Sequence, residues 1–170
     1  MAPMGEREKD MQIAVMAVGK LREKPLRQMA DEYLKRLSRY GKYEECEVPD
    51  LPEPASGSSA ALEEQLKAKE GEALLAKIRP GDRVIALTIG GKLRSSEDLA
   101  KHLAELKTGG VSSLVFVIGG SLGLGKNVLA RADEEMSMSP MTFPHRLARI
   151  MLLEQLYRAE KICAGERYHK

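Results

Sequence analysis

The sequence predicts an α/β protein built on a parallel sheet. Three observations support this prediction: apolar runs of strand length, stretches of helical periodicity that alternate with them, and short glycine-containing turns between the two. Strands that alternate with helices in this way form sheets covered by helices. The chain has 170 residues, no internal repeat and no second composition regime, so we expect a single domain.

The first half of the chain predicts two strands around one helix. Gln12–Val18 is a continuous apolar run, which is typical of a central strand covered on both faces. Pro25–Tyr40 follows as a helix, with apolar residues at helical spacing on one side and basic residues on the other. Tyr43–Val48 is a more polar strand, expected nearer an edge of the sheet. Pro49–Ser59 contains three prolines and is predicted to be a mobile surface loop.

The second half continues the alternation. Ala60–Ile78 is predicted as a helix, Arg83–Thr88 as a strand, and Ser96–Leu106 as a helix with a serine cap. A further apolar strand, Leu114–Ile118, opens into a bend with four glycines in seven positions. After a short acidic connection, a second bend over Ser137–Phe143 leads into the last helix.

The composition indicates a soluble protein, with 43% hydrophobic and 31% charged residues. No apolar run approaches the roughly 18 residues of a membrane helix, and the charged start is not typical of a signal peptide. We therefore expect a cytoplasmic protein without membrane contact. Residues 1–10 are polar and aperiodic and are predicted to be a disordered extension, with the domain spanning 11–170. Cys46 and Cys163 lack metal-ligand spacing, which predicts buried free thiols and no metal site.

The two bends are the predicted ligand site. Each is rich in free backbone donors and acceptors, and each follows or precedes a structural element. Open parallel sheets bind nucleotide-like ligands beyond the carboxyl ends of their strands. We therefore expect the glycine bend after Ile118 and the bend over Ser137–Phe143 to close around the same small molecule.

The glycine bend also fits most of a phosphate-binding pattern. The segment G-S-L-G-L-G-K-N matches G-x-x-x-x-G-K-[ST] except at its last position, Asn127. The hydroxyl group that is missing there normally binds magnesium, so the pattern is incomplete. A nucleoside-triphosphate site remains an alternative, disfavoured by this departure. The spacing does not fit G-x-G-x-x-G either.

The head of the last helix and the end of the chain carry further candidate residues. His145 lies in the first helical turn, where the helix dipole favours a neutral ring, and the pattern favours a purely structural role over a functional one. Arg146 and Arg149 are three residues apart and share a face. In the closing G-E-R-Y-H-K, His169 is chemically capable of proton transfer near neutral pH, although a tail of this kind is often disordered.

The net charge of +2 conceals an asymmetry between two segments. Residues 20–42 contain eight Lys or Arg and three acidic residues, whereas residues 44–72 contain nine acidic residues and two Lys. A basic helix could contact nucleic acid, or could simply be a solvated face. A non-catalytic RNA-binding protein therefore stays open. With no Trp and two Phe, an RNA surface of stacked aromatics is disfavoured.

Long segments of the chain resemble a known family. They are F-V-I-G-G-S-x-G-L, then S-x-M-T-F-P-H-R-L-A-R-I-M-L-L-E-Q-L-Y-R-A, and the closing G-E-R-Y-H-K. Together with I-A-V-M-A-V-G-K-L-R-E-K and I-x-G-K-L-R-S-S-E-D-L-A, they are similar to the RlmH family of bacterial large-subunit ribosomal RNA pseudouridine methyltransferases, within the SPOUT superfamily. The resemblance covers Met11 to Lys170.

This resemblance implies more than the pattern does. It implies a knotted parallel-sheet SPOUT methyltransferase fold with a C-terminal trefoil knot, although knots are rare in proteins. It implies a homodimer whose catalytic pocket is shared between subunits. It also implies S-adenosyl-L-methionine as the methyl donor and N3 of a pseudouridine in helix 69 of 23S rRNA, in the assembled ribosome, as the acceptor.

The resemblance also implies roles for particular residues. His169 is expected to accept the N3 proton or to orient the base, with Tyr168 as a positioning residue. Arg146, Arg149 and Lys170 are expected to hold substrate phosphate. Pro140 has no N–H to donate, so only the other backbone groups of its bend could serve as donors. The cofactor contacts are expected at Leu87, Gly119, Met138, Ser139, Pro140, Met141, Thr142 and Phe143.

Overall fold

The computed structural model describes residues 10–168, which form alternating strands and helices. The predicted extension over residues 1–10 therefore lies, apart from Asp10, outside the described residues. The strands are β1 Gln12–Val18, β2 Tyr43–Val48, β3 Arg83–Leu93, β4 Ser113–Ile118 and β5 Glu134–Ser137. The helices are α1 Lys24–Leu37, α2 Ala60–Leu75, α3 Ser96–Thr108, α4 Lys126–Arg131 and α5 His145–Cys163.

The five strands form one sheet in the order β2-β1-β4-β3-β5, and every neighbouring pair is parallel. The predicted α/β class with a parallel sheet is therefore confirmed. β1 pairs with both β2 and β4, so it is an inner strand as its continuous apolar sequence predicts. The more polar β2 lies at an edge, also as predicted.

Each face of the sheet is covered by its own apolar cluster. Along β1, Ile13 and Val15 belong to the cluster with α1, α3 and α5, whereas Ala14 and Met16 belong to the cluster on the opposite face. Successive side chains of a strand point to opposite faces, so a strand buried on both sides must be apolar throughout. Within residues 10–168, no helix is long and apolar enough to cross a membrane.

The segment between the two bends differs from the prediction. It was expected to be an acidic connection, but it forms the short helix α4 and the strand β5. The sequence E-E-M-S of β5 shows no strand pattern, and it is extended because it pairs along β3, with Ile85 opposite Glu134. Val128 anchors α4, since its side chain is fully buried in the cluster on that face.

The two thiols are free, but the prediction that they are buried was wrong. Cys46 is half-buried and Cys163 is exposed. Cys46 lies on the edge strand β2, and Cys163 is the last residue of α5, where less of the fold covers a side chain.

β3 continues past its predicted end at Thr88, and its register with the parallel strand β5 shifts between Leu87 and Lys92, which both pair with Met136. At this register shift the two backbones lie close together, because a Cβ atom built on Gly91 would lie 2.6 Å from the backbone N of Met136. Only glycine therefore fits at this position. The predicted trefoil knot requires strand segments to cross closely, but the knot itself stays a prediction.

Replacement of Gly91 by alanine is expected to lower the free energy of unfolding by about 1–3 kcal/mol, because the added methyl group forces two backbones apart. Urea denaturation at a fixed protein concentration measures this change. Gly90→Ala is the matched control: no atom lies within 4 Å of a Cβ there, so its stability should match the wild type. Equal stability of the two variants would show that the close approach of β3 and β5 at Gly91 tolerates a side chain.

Candidate functional site

A cavity of about 850 Å³ lies at the carboxyl ends of β4 and β5, beside the middle of β3. Its wall is built from residues 87–90 of β3 and from two bends, over residues 119–124 and 137–144 except Pro140, and is completed by the start of α5. The glycine bend and the bend over Ser137–Phe143 thus wall the same cavity. This volume is in the range of pockets that bind small molecules.

The glycine bend folds back tightly on itself. The Gly123 N–H donates to Gly120 O at 3.0 Å, and Gly123 has a positive φ of 87°. A Cβ atom on Gly119 would lie 2.5 Å from the carbonyl carbon of Gly123. The close approach requires glycine at position 119, which lets the bend present its backbone to the cavity.

Two serines stabilise the bend over Ser137–Phe143 by hydrogen bonds. The Ser137 hydroxyl donates to Ser139 O at 2.9 Å, and the Met141 N–H donates to the Ser139 hydroxyl at 3.0 Å. Ser137 is almost fully buried. These local bonds fix the turn that brings Thr142 and Phe143 to the cavity wall.

Seven of the eight residues expected to contact a cofactor line this cavity, and Pro140 does not. The seven are Leu87, Gly119, Met138, Ser139, Met141, Thr142 and Phe143. The sequence analysis missed lining residues on β5 because that strand was not predicted. They include Met136, which is buried, and Glu135, whose carboxylate accepts a hydrogen bond from the Thr88 hydroxyl at 3.1 Å.

His145 is the first residue of α5 and lines the cavity. Partial burial lowers its pKa, and the positive charges of Arg146 and Arg149 lower it further, against a smaller opposing effect of Asp50 and Glu53. The ring is therefore neutral at pH 7, as predicted, although burial is the larger cause. A neutral imidazole at the wall can donate or accept a hydrogen bond.

The structure places both candidate arginines in ion pairs. Arg146 pairs with Glu23, the residue that precedes α1. The side chain of Arg149 is only 1% exposed, and its Nη1 lies 2.6 Å from Glu47 and 3.4 Å from Glu45. This burial corrects the expectation that Arg149 binds substrate phosphate, because the guanidinium group is committed to two internal carboxylates. It acts instead as an internal anchor of α5.

The end of the described chain lies apart from the cavity of its own protomer. The Tyr168 ring packs 4.9 Å from the Tyr157 ring, and its hydroxyl donates to Glu154 at 3.1 Å. These contacts lie in the middle of α5, whereas the cavity is at its start. His169 and Lys170 are outside the described residues.

The phosphate-loop alternative is disfavoured by the position of Asn127. Its amide donates to Ala68 O at 3.0 Å, and its side-chain oxygen accepts the Val128 N–H at 2.9 Å. The residue that would have to hold magnesium thus joins α4 to α2. Lys126 is exposed and is not among the residues that line the cavity.

Comparison with known proteins identifies the family. Residues 11–169 match a family model described as "Predicted SPOUT methyltransferase". The chain belongs to the SPOUT methyltransferase family. It is 53% identical to a protein of Shouchella clausii named "Ribosomal RNA large subunit methyltransferase H", over 94% of this chain and 100% of that protein. It is 52% identical to a protein of the same name from Alkaliphilus oremlandii, again over 94% and 100%.

A solved structure supports the fold of this SPOUT methyltransferase. The structure is described as a probable methylase family protein from Haemophilus influenzae, with 14% sequence identity and a TM-score of 0.53. The similarity covers 94% of this chain and 71% of the other. The expected SPOUT α/β fold and the expected methyltransferase class are confirmed by family membership.

Proposed function

We propose that this SPOUT methyltransferase methylates large-subunit ribosomal RNA, at N3 of a pseudouridine in helix 69 of 23S rRNA, with S-adenosyl-L-methionine as donor. One observation carries the proposal: a segment of β3, the glycine bend and the bend over Ser137–Phe143 meet around a single cavity in a chain that is 53% identical to a named ribosomal RNA large subunit methyltransferase. A ribosomal substrate also places the enzyme in the cytoplasm.

The residues around the cavity fit this donor. The cavity offers apolar walls for a flat heterocycle, formed by Leu87, Ile118 and Met136. The glycine bend and the bend over Ser137–Phe143 offer backbone donors and acceptors for its polar groups. Gly119 leaves the backbone accessible, since it carries no side chain. Glu135 offers a carboxylate to a positively charged ligand. When bound, S-adenosyl-L-methionine supplies a methyl group that is already activated by a sulfonium.

The chain itself must position the acceptor and remove its proton. The N3–H of a pseudouridine is a weakly acidic imide, so a base has to accept that proton as the nitrogen becomes a nucleophile. The proposal keeps His169 as this base or as the group that orients the base ring, and Tyr168 as its positioning residue. Arg146 and Lys170 remain candidates for phosphate contact, and alignment of donor with acceptor contributes the rest.

A homodimer would bring the chain's end to a cavity. α1 and α5 pack side by side and leave three apolar side chains exposed: Met29 at 47%, Leu147 at 44% and Met151 at 37%. Leu147 and Met151 are four residues apart and so share a helix face. Exposed apolar patches of this kind mark interaction surfaces. We assign this surface to a second copy, whose Tyr168, His169 and Lys170 then approach the cavity of the first.

Mass spectrometry of 23S rRNA tests the proposed function most directly. Cells that contain the protein should carry a methyl group on the helix 69 pseudouridine, and cells that lack it should not. Purified protein with radiolabelled S-adenosyl-L-methionine should transfer the label to ribosomes from the deleted strain. An unchanged nucleotide in both strains would reject the proposed substrate.

Replacement of Gly119 by alanine is expected to weaken binding of S-adenosyl-L-methionine by about tenfold or more. The added methyl group would meet the Gly123 backbone at 2.5 Å, and overpacking of about 1–3 kcal/mol corresponds to this loss. Isothermal titration calorimetry measures the affinity. Gly81→Ala is the control, because a Cβ there meets no atom within 4 Å. Wild-type affinity of Gly119→Ala for S-adenosyl-L-methionine would show that the glycine bend does not take part in cofactor binding.

A further inference from the structure

A second, smaller cleft lies next to the register shift between β3 and β5. Its volume is about 260 Å³, and it is formed by the end of β3 and the first turns of α3. All six residues that line it carry polar or charged side chains: Lys92, Arg94, Asp98, Lys101, His102 and Glu105. It is therefore a site for a charged group, in contrast to the largely apolar main cavity.

Two lysines of the cleft have no ion-pair partner. Within residues 10–168, the side chains of Lys92 and Lys101 make no ion pair and no hydrogen bond, and both residues are exposed. Arg94 lies 3.3 Å from Glu134, a carboxylate that His102 also contacts at 2.7 Å. The ammonium groups of these two lysines are thus accessible to an anionic ligand.

Two carboxylates also line the cleft and offset part of the charge of its lysines. Asp98 is engaged in the capping box of α3, where it accepts from the backbone N–H of Ser95. The positive end of the helix dipole further offsets its charge. Glu105 lies two turns along α3 from Asp98, away from the helix start. Lys92, Arg94 and Lys101 therefore outnumber the two carboxylates of the lining, although Glu105 lies one helical turn from Lys101.

The basic face of α1 offers less free charge than its sequence suggests. Arg27 is paired with both Asp31 and Glu45, and Arg36 is paired with Glu32. Paired guanidinium groups attract phosphate less, because a neighbouring carboxylate offsets their charge. Lys24 and Lys35 of α1 make no ion pair within residues 10–168, but α1 does not line the main cavity, whereas β3 lines both the cavity and the cleft.

The cleft and the main cavity lie near each other along β3. Residues 88–90 line the cavity, and Lys92 and Arg94 line the cleft, so one short segment of β3 borders both. The four residues from Thr88 to Lys92 can span at most about 14 Å. Between them, Ile89 and Leu93 are 59% and 56% exposed and offer apolar surface.

We propose that this cleft binds backbone phosphates of the RNA strand that flanks the nucleotide held in the main cavity. The inference rests on the proposed function and names the surface that function would use. Lys92 and Lys101 contact phosphate oxygens, and Ile89 and Leu93 contact the sugars or bases between the two sites. Such contacts position the strand and carry no sequence information.

The test is the salt dependence of RNA binding. The probe is a fluorescently labelled hairpin with the helix 69 sequence, titrated with wild type, Lys92→Gln, Lys101→Gln and the double variant. Each lysine that contacts phosphate should reduce the slope of log K against log salt by about 1, and affinity should fall accordingly. Affinity for S-adenosyl-L-methionine should not change. The matched control is Lys69→Gln, an exposed lysine on α2, on the opposite face of the sheet.

The outcomes separate this inference from the proposed function. Suppose that the double variant methylates ribosomes normally and shows the wild-type slope of log K against log salt. This result would overturn the proposed role of the cleft and leave the proposed function intact. An equal loss in Lys69→Gln would show a nonspecific charge effect and would also overturn it. If the wild type transfers no methyl group to ribosomal RNA, the proposed function itself fails.

Discussion

Replacement of Arg149 by alanine is expected to lower the free energy of unfolding by about 3–5 kcal/mol, because it removes a buried guanidinium group and leaves the half-buried Glu47 carboxylate without a counter-charge. The guanidinium group joins three parts of the fold. Its Nη1 contacts Glu45 and Glu47 on β2, and its Nη2 donates to Gly19 O at 2.7 Å, at the end of β1. It thereby ties α5 to the edge of the sheet.

The lower part of this range is the more realistic expectation. Glu45 is 9% exposed but keeps Arg27 as a second partner at 2.6 Å, and Glu47 is 26% exposed and can regain some water. Arg149→Lys should lie between the wild type and Arg149→Ala. One ammonium group keeps the charge but does not reproduce the planar arrangement of three acceptors.

Urea denaturation at one fixed protein concentration measures this change, since the stability of the proposed homodimer would depend on concentration. Arg22→Ala is the matched control. Its pair with Asp50 is 3.7 Å long, with side chains 71% and 42% exposed, so its loss should cost no more than about 1 kcal/mol. An Arg149→Ala variant as stable as Arg22→Ala would mean that the buried network contributes nothing to the fold.

The sequence was sufficient to predict the parts of the fold whose cause is local. The inner strand β1 is recognisable because both its faces are buried, which requires an unbroken apolar run. The glycine bend is recognisable because tight turns need glycine, and Gly123 has the positive φ that favours it. The edge position of β2 follows from its polar side chains.

The parts that were missed depend on contacts between distant segments. β5 has no apolar pattern and is a strand only because β3 offers it hydrogen-bonding partners. Helical periodicity puts Arg149 and Arg146 on the same face of α5, but it does not predict which residues of the sheet that face contacts. Its partners, Glu45 and Glu47, are two residues apart and so share a face of β2, yet that pairing is visible only once α5 is packed on the sheet.

Deletion of Tyr168, His169 and Lys170 is expected to abolish methyl transfer, with a loss of about 100-fold or more, while binding of S-adenosyl-L-methionine stays largely intact. Loss of a group that accepts a proton has an effect of this size. The cavity should survive because its wall does not include Tyr168. The deletion removes the ring contact with Tyr157, so a modest decrease in stability, about 1 kcal/mol, is expected as well.

Single variants separate these effects. Tyr168→Phe keeps the ring against Tyr157 and loses only the hydrogen bond to Glu154. His169→Ala leaves Tyr168 in place, and if His169 is the base, this variant should show most of the activity loss. Single-turnover methylation of ribosomes, with calorimetry of cofactor binding, measures both properties. Full activity in the truncated protein would remove the tail from the mechanism.

Mixed dimers determine whether the tail acts on its own cavity or on that of its partner. Tyr168 lies near the middle of α5, away from the cavity of the same protomer, which favours the partner. A dimer of one truncated subunit and one Gly119→Ala subunit has one intact cavity and one intact tail, on different chains. At an S-adenosyl-L-methionine concentration that fills the wild-type cavity but is well below what Gly119→Ala needs, a tail that acts across the dimer should restore up to one working site per dimer. A tail that acts within its own chain would leave the mixture no more active than Gly119→Ala alone.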